Sequence, residues 1–162
     1  RRLAAQIASS SELRGMATTA VAVLIDGGTG TLAHVGDSRV YRLRDGQLDR
    51  LTRDHSWVED QIRVGALSET AARRHPWRNI VTRALSGSED LDVDIQEVAL
   101  RSGDRLLLCS DGVFTVLDDD QIGEVLRRET DLHSLCHALI QGANDGGGPD
   151  NVTAVVLEIN AV

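Results

Sequence analysis

From Ala17 to Leu51 the chain alternates short β-patterned runs with Asp-Gly turns, and this succession restricts it to antiparallel pairing. Ala17 to Ile25 is rich in Thr, Val and Ile and predicts a strand. Asp26-Gly27-Gly28 is a turn signal, and Thr31 to Val35 follows as the second arm of a hairpin. Arg39 to Arg44 alternates Arg with Val, Tyr and Leu and predicts a strand with its arginines outward. Asp45-Gly46 then turns the chain into a return strand, Gln47 to Leu51.

The remainder mixes helical and extended patterns. Residues 1–9 read as the end of a helix stopped by Ser9-Ser10-Ser11. Residues 55–74 place Trp57, Val58, Ile62 and Leu67 at helical spacing, with Ser68-Glu69-Thr70-Ala71 as an N-cap and His75-Pro76 as a stop. Asn79 to Leu85 and Val93 to Val98 read as extended, and the apolar run Arg105 to Cys109 as a fully buried strand. Asp118 to Arg128 and Thr130 to Asn144 predict amphipathic helices, and Asp145 to Pro149 a loop. Val152 to Ile159 predicts a last strand. Hairpin strands with helices segregated from them predict one α+β domain, 1–162, rather than a βαβ fold.

Composition excludes several functions. A net charge of −8 repels nucleic-acid phosphates and anionic lipid. Aromatic residues make up 2%, too few for base-stacking platforms. Cys109 and Cys136 fit no CxxC motif, and Cys109 ends an apolar run, so a buried inert thiol is expected. The absence of a disulfide framework suits the cytoplasm.

Three aspartates stand in turns beside predicted strands: Asp37 in Gly36-Asp37-Ser38-Arg39, Asp111 in Ser110-Asp111-Gly112, and Asp150 in Gly148-Pro149-Asp150-Asn151. Carboxylates at strand ends can converge at one sheet edge, and their hard oxygens suit Mg²⁺ or Mn²⁺. A pair of such ions can activate water for in-line attack on phosphorus. Asp-Gly and Asp-Asn are equally ordinary turn pairs, so no single aspartate separates ligand from turn.

Seven strings in order do more: Gly15 to Thr19, Val35 to Arg39, Leu51 to Ser56, His75 to Asn79, Thr82 to Leu85, Leu108 to Gly112 and Gly148 to Thr153. In order and spacing they resemble the C-terminal motifs of bacterial PPM-type metal-dependent protein serine/threonine phosphatases, over essentially the whole chain. The resemblance implies an antiparallel β-sandwich flanked by helices. It implies hydrolysis of phosphoserine and phosphothreonine with two Mn²⁺ or Mg²⁺ ions and a third, accessory ion. On this basis Asp111 is the ligand shared by the catalytic pair and the accessory ion, Asp150 a ligand of the pair and Asp37 a ligand of the accessory ion. Residues 54–85 match a flap-like segment whose Asn79 faces the accessory ion. Phosphoproteins, the targets of a cognate serine/threonine kinase, are the implied partners; nucleic acid and membrane are not. His55 reads as a packing or capping residue, Thr18 and Thr19 as strand residues, and Arg73-Arg74 as a solvated helix face. Ala17 stands where the family commonly has glycine.

The family also carries an Arg and Asn-Glu-Asp segment and an Asp-Gly-x-Gly-Gly segment upstream of these motifs, and neither is present here. The expectation is a domain incomplete at its N-terminus and silent alone. A truncated, non-catalytic binding or regulatory module of the same fold is the alternative.

Overall fold

Two antiparallel sheets organise the chain. The computed structural model describes residues 2–87, 91–128 and 131–160. Arg1 and Thr130, the first residues of two predicted helical spans, lie outside the described residues. Strands β1 (Ala20–Asp26), β2 (Thr29–Val35) and β5 (Asp94–Ala99) form a three-stranded sheet in the order β1-β2-β5. Strands β3 (Arg39–Arg44), β4 (Gln47–Arg50), β6 (Arg105–Cys109) and β7 (Ala154–Glu158) form a four-stranded sheet in the order β4-β3-β6-β7. Every pairing is antiparallel. The tight β3–β4 connection is Asp45-Gly46, with both residues at positive φ (50° and 79°), the geometry that matches strand twist in a two-residue hairpin.

The four-stranded sheet is covered on both faces, which is why β6 is continuously apolar. Tyr41, Leu43, Leu107, Cys109 and Val156 pack against α4 (Asp111–Phe114), α5 (Asp119–Leu126) and α6 (Leu132–Asp145) through Val113, Ile122, Leu126, Leu135 and Leu139. Leu106 joins Leu100 and Ile159 in a second cluster that also takes in Val23 and Val98 of the other sheet. The α+β sandwich with flanking helices is therefore as expected. Capping fixes the helix starts: Asp118 and Gln121 form a reciprocal capping box on α5, and Asp131 accepts from the Ser134 amide on α6.

Several local expectations change. Val40 and Tyr41 are adjacent and both buried, so they fill opposite faces of β3 rather than one inward face. Arg39 shares a face with Tyr41, and its side chain is mostly buried, not outward. Over 55–74 the helical pattern ends at Arg63 in α2 (Trp57–Arg63), the chain turns at Gly65 with φ +74°, and α3 (Glu69–Arg73) begins at the expected N-cap Ser68. Ser110-Asp111-Gly112 is not a simple turn: Asp111 opens α4. Asn79 to Leu85 makes isolated bridges, Ser56 to Val81 and Thr18 to Leu85, instead of a strand.

A buried ion pair ties the end of β3 to the turn that leads into β6. Asp104 is 1% exposed and accepts from Arg44 Nε at 2.7 Å, Arg44 Nη2 at 2.6 Å and the Arg101 amide at 2.8 Å. Arg44 holds its carboxyl below the usual carboxylate range. Its contribution to stability is thus present above about pH 4 and is lost as pH falls through the depressed folded value. Asp104→Asn, which leaves Arg44 without its counter-charge, is expected to cost about 3 kcal/mol in urea unfolding at pH 7. A variant as stable as the parent would show the pair contributes nothing.

On the three-stranded sheet, register places Leu24 opposite Thr31 and Ile95 opposite Ala33. These two apolar side chains share one face and are 71% and 69% exposed.

Candidate metal centre

The Asp37 turn follows β2 and is shaped by Gly36. Gly36 has φ +106°, and a Cβ there would run into the Thr19 side chain, so only glycine lets the turn lie this close to the chain entering β1. Thr19 Oγ1 and Ser38 Oγ share a hydrogen bond of 2.9 Å across this approach. Asp37 is thereby held half-buried at the end of the sandwich.

Asp111 follows β6, and the loop bearing Asp150 precedes β7, the neighbouring strand. The two loops are stitched together. The Ser110 amide donates to the Thr153 carbonyl at 3.1 Å, and the Thr153 amide donates to Ser110 Oγ at 3.0 Å. Gly112 makes the approach possible, because a Cβ there would meet the Asn151 carbonyl and the Val152 backbone. Asp150 itself is exposed and accepts from the Asn151 amide at 2.7 Å.

The electrostatics link the three carboxylates in a row. Burial raises the Asp111 pKa, and the charge of Asp150 raises it further. Burial and then the charge of Asp111 do the same to Asp37. Such mutual repulsion is relieved by a bound cation, and oxygen donors suit a hard divalent one. The residues present therefore fit divalent metal binding. Their ligand oxygens do not gather as a trio within 4.8 Å, so the row spans more than one position with Asp111 in the middle.

Beside them opens a cleft of about 440 Å³ whose lining includes Asp37, Asp111, Asn79, Arg73 and Arg78. Asn79 thus shares the cleft with two of the aspartates; Asp150 does not line it. The segment bearing Asn79 is closed at its root. The His55 amide donates to the Gly36 carbonyl, the Thr82 amide to the His55 carbonyl, and the Trp57 amide to the Ile80 carbonyl, at 2.8, 2.8 and 2.9 Å. Arg73 and Arg74 are both exposed, and Arg73 lies at the cleft lining.

Two residues escape sequence reading. Arg39 grips Asp54 through Nε at 2.9 Å and Nη2 at 2.6 Å, donates to Tyr41 Oη at 2.9 Å and lies 3.6 Å over the Phe114 ring. Burial opposes its charge, but the Asp54 carboxylate overrides this and raises its pKa. The pair forms part of the cleft wall, and the signal for it, an Arg and an Asp fifteen residues apart, is invisible without the fold. Cys109 is buried, with its thiol pushed up to about 12 by burial, and does not line the cleft.

The comparisons with known proteins agree with this geometry. A profile of protein phosphatase 2C matches residues 2–151. The chain is 41% identical over 157 residues to the serine/threonine protein phosphatase PstP of Mycobacterium tuberculosis, covering 97% of this chain and 30% of that protein. It is 38% identical over 150 residues to the serine/threonine phosphatase stp of Listeria monocytogenes, covering 93% of this chain and 60% of the relative. The crystal structure of the mycobacterial PstP superposes with a TM-score of 0.94 at 40% identity, covering 98% of this chain and 67% of that one. The catalytic domain of PstP in complex with two manganese ions superposes with a TM-score of 0.90 at 38% identity, covering 98% and 66%. With the profile spanning nearly its whole length, the chain belongs to the protein phosphatase 2C family.

Proposed function

We propose that this chain forms part of the catalytic domain of a phosphatase that hydrolyses phosphoserine and phosphothreonine in proteins, using Mn²⁺ or Mg²⁺. The observation that carries the reading is the row Asp37, Asp111, Asp150, two of whose members line a cleft together with Asn79. Asp111 and Asp150 would hold the catalytic ions, and Asp37, Asp111 and Asn79 an accessory one. When bound, the ions supply Lewis-acid chemistry: they activate water and neutralise charge developing on the phosphoryl oxygens. The protein's own part is positional. Ser110 and Thr153 lock the two aspartate loops together. Arg39 and Asp54 brace the cleft wall and leave Arg73 and Arg78 as cationic groups facing a phosphorylated side chain.

Residues 54–85 act as a flap over this cleft. The chain spans 30% of the mycobacterial relative and 60% of the listerial one. We take the remaining ligands, and cover for Leu24 and Ile95, to come from residues outside it. The substrates are phosphoproteins of a serine/threonine kinase in the cytoplasm of a bacterium. Among the described residues no helix is long and apolar enough to cross a membrane.

The test is hydrolysis of a phosphothreonine peptide by the protein that carries this chain with its upstream residues. Turnover is expected with Mn²⁺ and none with EDTA. Cys109→Ala with Cys136→Ala is expected to keep that turnover within about two-fold, because a thiol with its pKa near 12 is no nucleophile at neutral pH. EDTA-resistant turnover, or a folded but inactive double variant, would overturn the reading.

A further inference from the structure

Among the described residues, one trio brings its ligating atoms within 4.8 Å of one another, and it lies apart from the aspartate row: His34, His55 and Asp94. His34 on β2 and Asp94 on β5 are cross-strand partners in register, so their side chains share a face. His55 comes from the root of the 55–82 excursion, and its ring lies 4.7 Å from that of His34. His55 Nε2 is 3.1 Å from Asp94 Oδ2. His34 is 1% exposed, and its Nε2 is buried with no hydrogen-bond partner. A lone pair in that position lacks the compensation that buried polar atoms normally have. Asp94 is half exposed, and it lines, with His34, a cavity of about 880 Å³ that gives access from solvent.

We propose that His34, His55 and Asp94 form a second metal site, one that takes Zn²⁺, and that filling it loosens the turn bearing Asp37. Two imidazoles and one carboxylate are the donor set of three-ligand zinc sites with an open fourth position, whereas Mg²⁺ and Mn²⁺ favour oxygen. Bonds of about 2.0–2.2 Å around a tetrahedral ion separate ligand atoms by about 3.3–3.5 Å. The His55–Asp94 pair stands near that spacing, and a small inward shift of the His34 ring completes the set. Arg83 Nη1, 3.0 Å from Asp94 Oδ1 and 3.4 Å from His55 Nε2, must swing away from Asp94; its side chain is 41% exposed, and Asp92 Oδ2, already 3.0 Å from the same nitrogen, can keep it paired.

The coupling follows from the His55 tautomer. Its Nδ1 accepts from the Gly36 amide at 3.2 Å, so in the neutral ring Nε2 carries the proton and faces Asp94. Zn²⁺ needs the Nε2 lone pair. The proton then passes to Nδ1, with no net uptake, and Nδ1–H faces the Gly36 N–H: two donors in place of a hydrogen bond. Gly36 immediately precedes Asp37, so zinc at the trio and a hard divalent ion at Asp37 bind antagonistically. The antagonism rests on the proposed role of Asp37; zinc binding does not.

The experiment titrates Zn²⁺, by equilibrium dialysis, into the protein that carries this chain with its upstream residues, bearing Asp111→Asn and Asp150→Asn. Co²⁺ serves as a visible-absorbance probe of tetrahedral coordination. One equivalent of Zn²⁺ is expected. Adding His34→Gln or the more exposed Asp94→Asn should weaken it at least ~10–100-fold, since losses of even outer partners reach that. If His34→Gln does not fold, Asp94→Asn decides. A folded Asp94→Asn variant that binds Zn²⁺ as tightly as its parent overturns the site. In the same protein with Asp111 and Asp150 intact, one equivalent of Zn²⁺ should weaken Mn²⁺ binding several-fold. Unchanged Mn²⁺ affinity, or no Mn²⁺ binding to weaken, overturns the antagonism; the first leaves the aspartate assignment standing and the second, in a protein that includes the upstream residues, removes it.

Discussion

Asp111→Asn is expected to lower metal-dependent turnover by at least ~10–100-fold in the protein that carries this domain, with Asp150→Asn close behind. Asp111 stands between Asp37 and Asp150: its carboxyl feels the charge of Asp150, and Asp37 in turn feels the charge of Asp111. Replacing it removes charge from the middle of the row, where ions on either side would share it. The fold should survive. Burial and Asp150 raise the Asp111 pKa, so the folded state holds its proton more tightly than the unfolded chain does. A raised carboxyl pKa means the charged form costs stability at neutral pH, and that cost fades as pH falls through the raised value. The Asn variant should therefore melt no lower than the parent at pH 7 in the absence of metal, while its turnover falls. Near parental rates for p-nitrophenyl phosphate at saturating Mn²⁺ would refute the assignment.

The second large effect is expected from a single methyl group. Gly112→Ala places a Cβ against the Asn151 carbonyl and the Val152 Cα, and backbone atoms cannot rotate aside as a flexible side chain can. The loops bearing Asp111 and Asp150 must part, and overpacking of this kind costs about 1–3 kcal/mol. A displacement of about 1 Å in a reacting geometry can cost about 100-fold in rate. The variant should thus lose turnover out of proportion to its lost stability. Thermal unfolding and steady-state rates measured together check this. A variant with lowered melting temperature but full activity would show that the close approach serves folding alone.

The elements legible in the sequence were those with one dominant cause. β3 and β6 have the predicted bounds, Arg39–Arg44 and Arg105–Cys109, because turn residues bracket one and an unbroken apolar run marks the other. Asp37, Asp111 and Asn79 were legible as neighbours of one cleft through the ordered motifs, not through any one of them. What stayed hidden depended on tertiary position. The Ser68 N-cap was legible, but the stop of the preceding helix was not, because it lies at Gly65, whose φ of +74° no flanking residue announces. Arg39 alternates with apolar residues and so reads as outward, yet its face is covered by Phe114 and Asp54. His34, His55 and Asp94 lie far apart in sequence, on two strands and the root of a loop excursion, and no spacing rule connects them.

The central claim is that Asp37, Asp111 and Asp150 belong to one divalent-metal centre. Mn²⁺ binding to the purified protein that carries this chain with its upstream residues, followed by electron paramagnetic resonance, tests it most directly. Measurable binding is predicted, weakened by at least ~10-fold in Asp111→Asn and less in Asp37→Asn, since Asp111 is the shared ligand. Equal Mn²⁺ affinity in the parent and in folded Asp111→Asn would contradict the account.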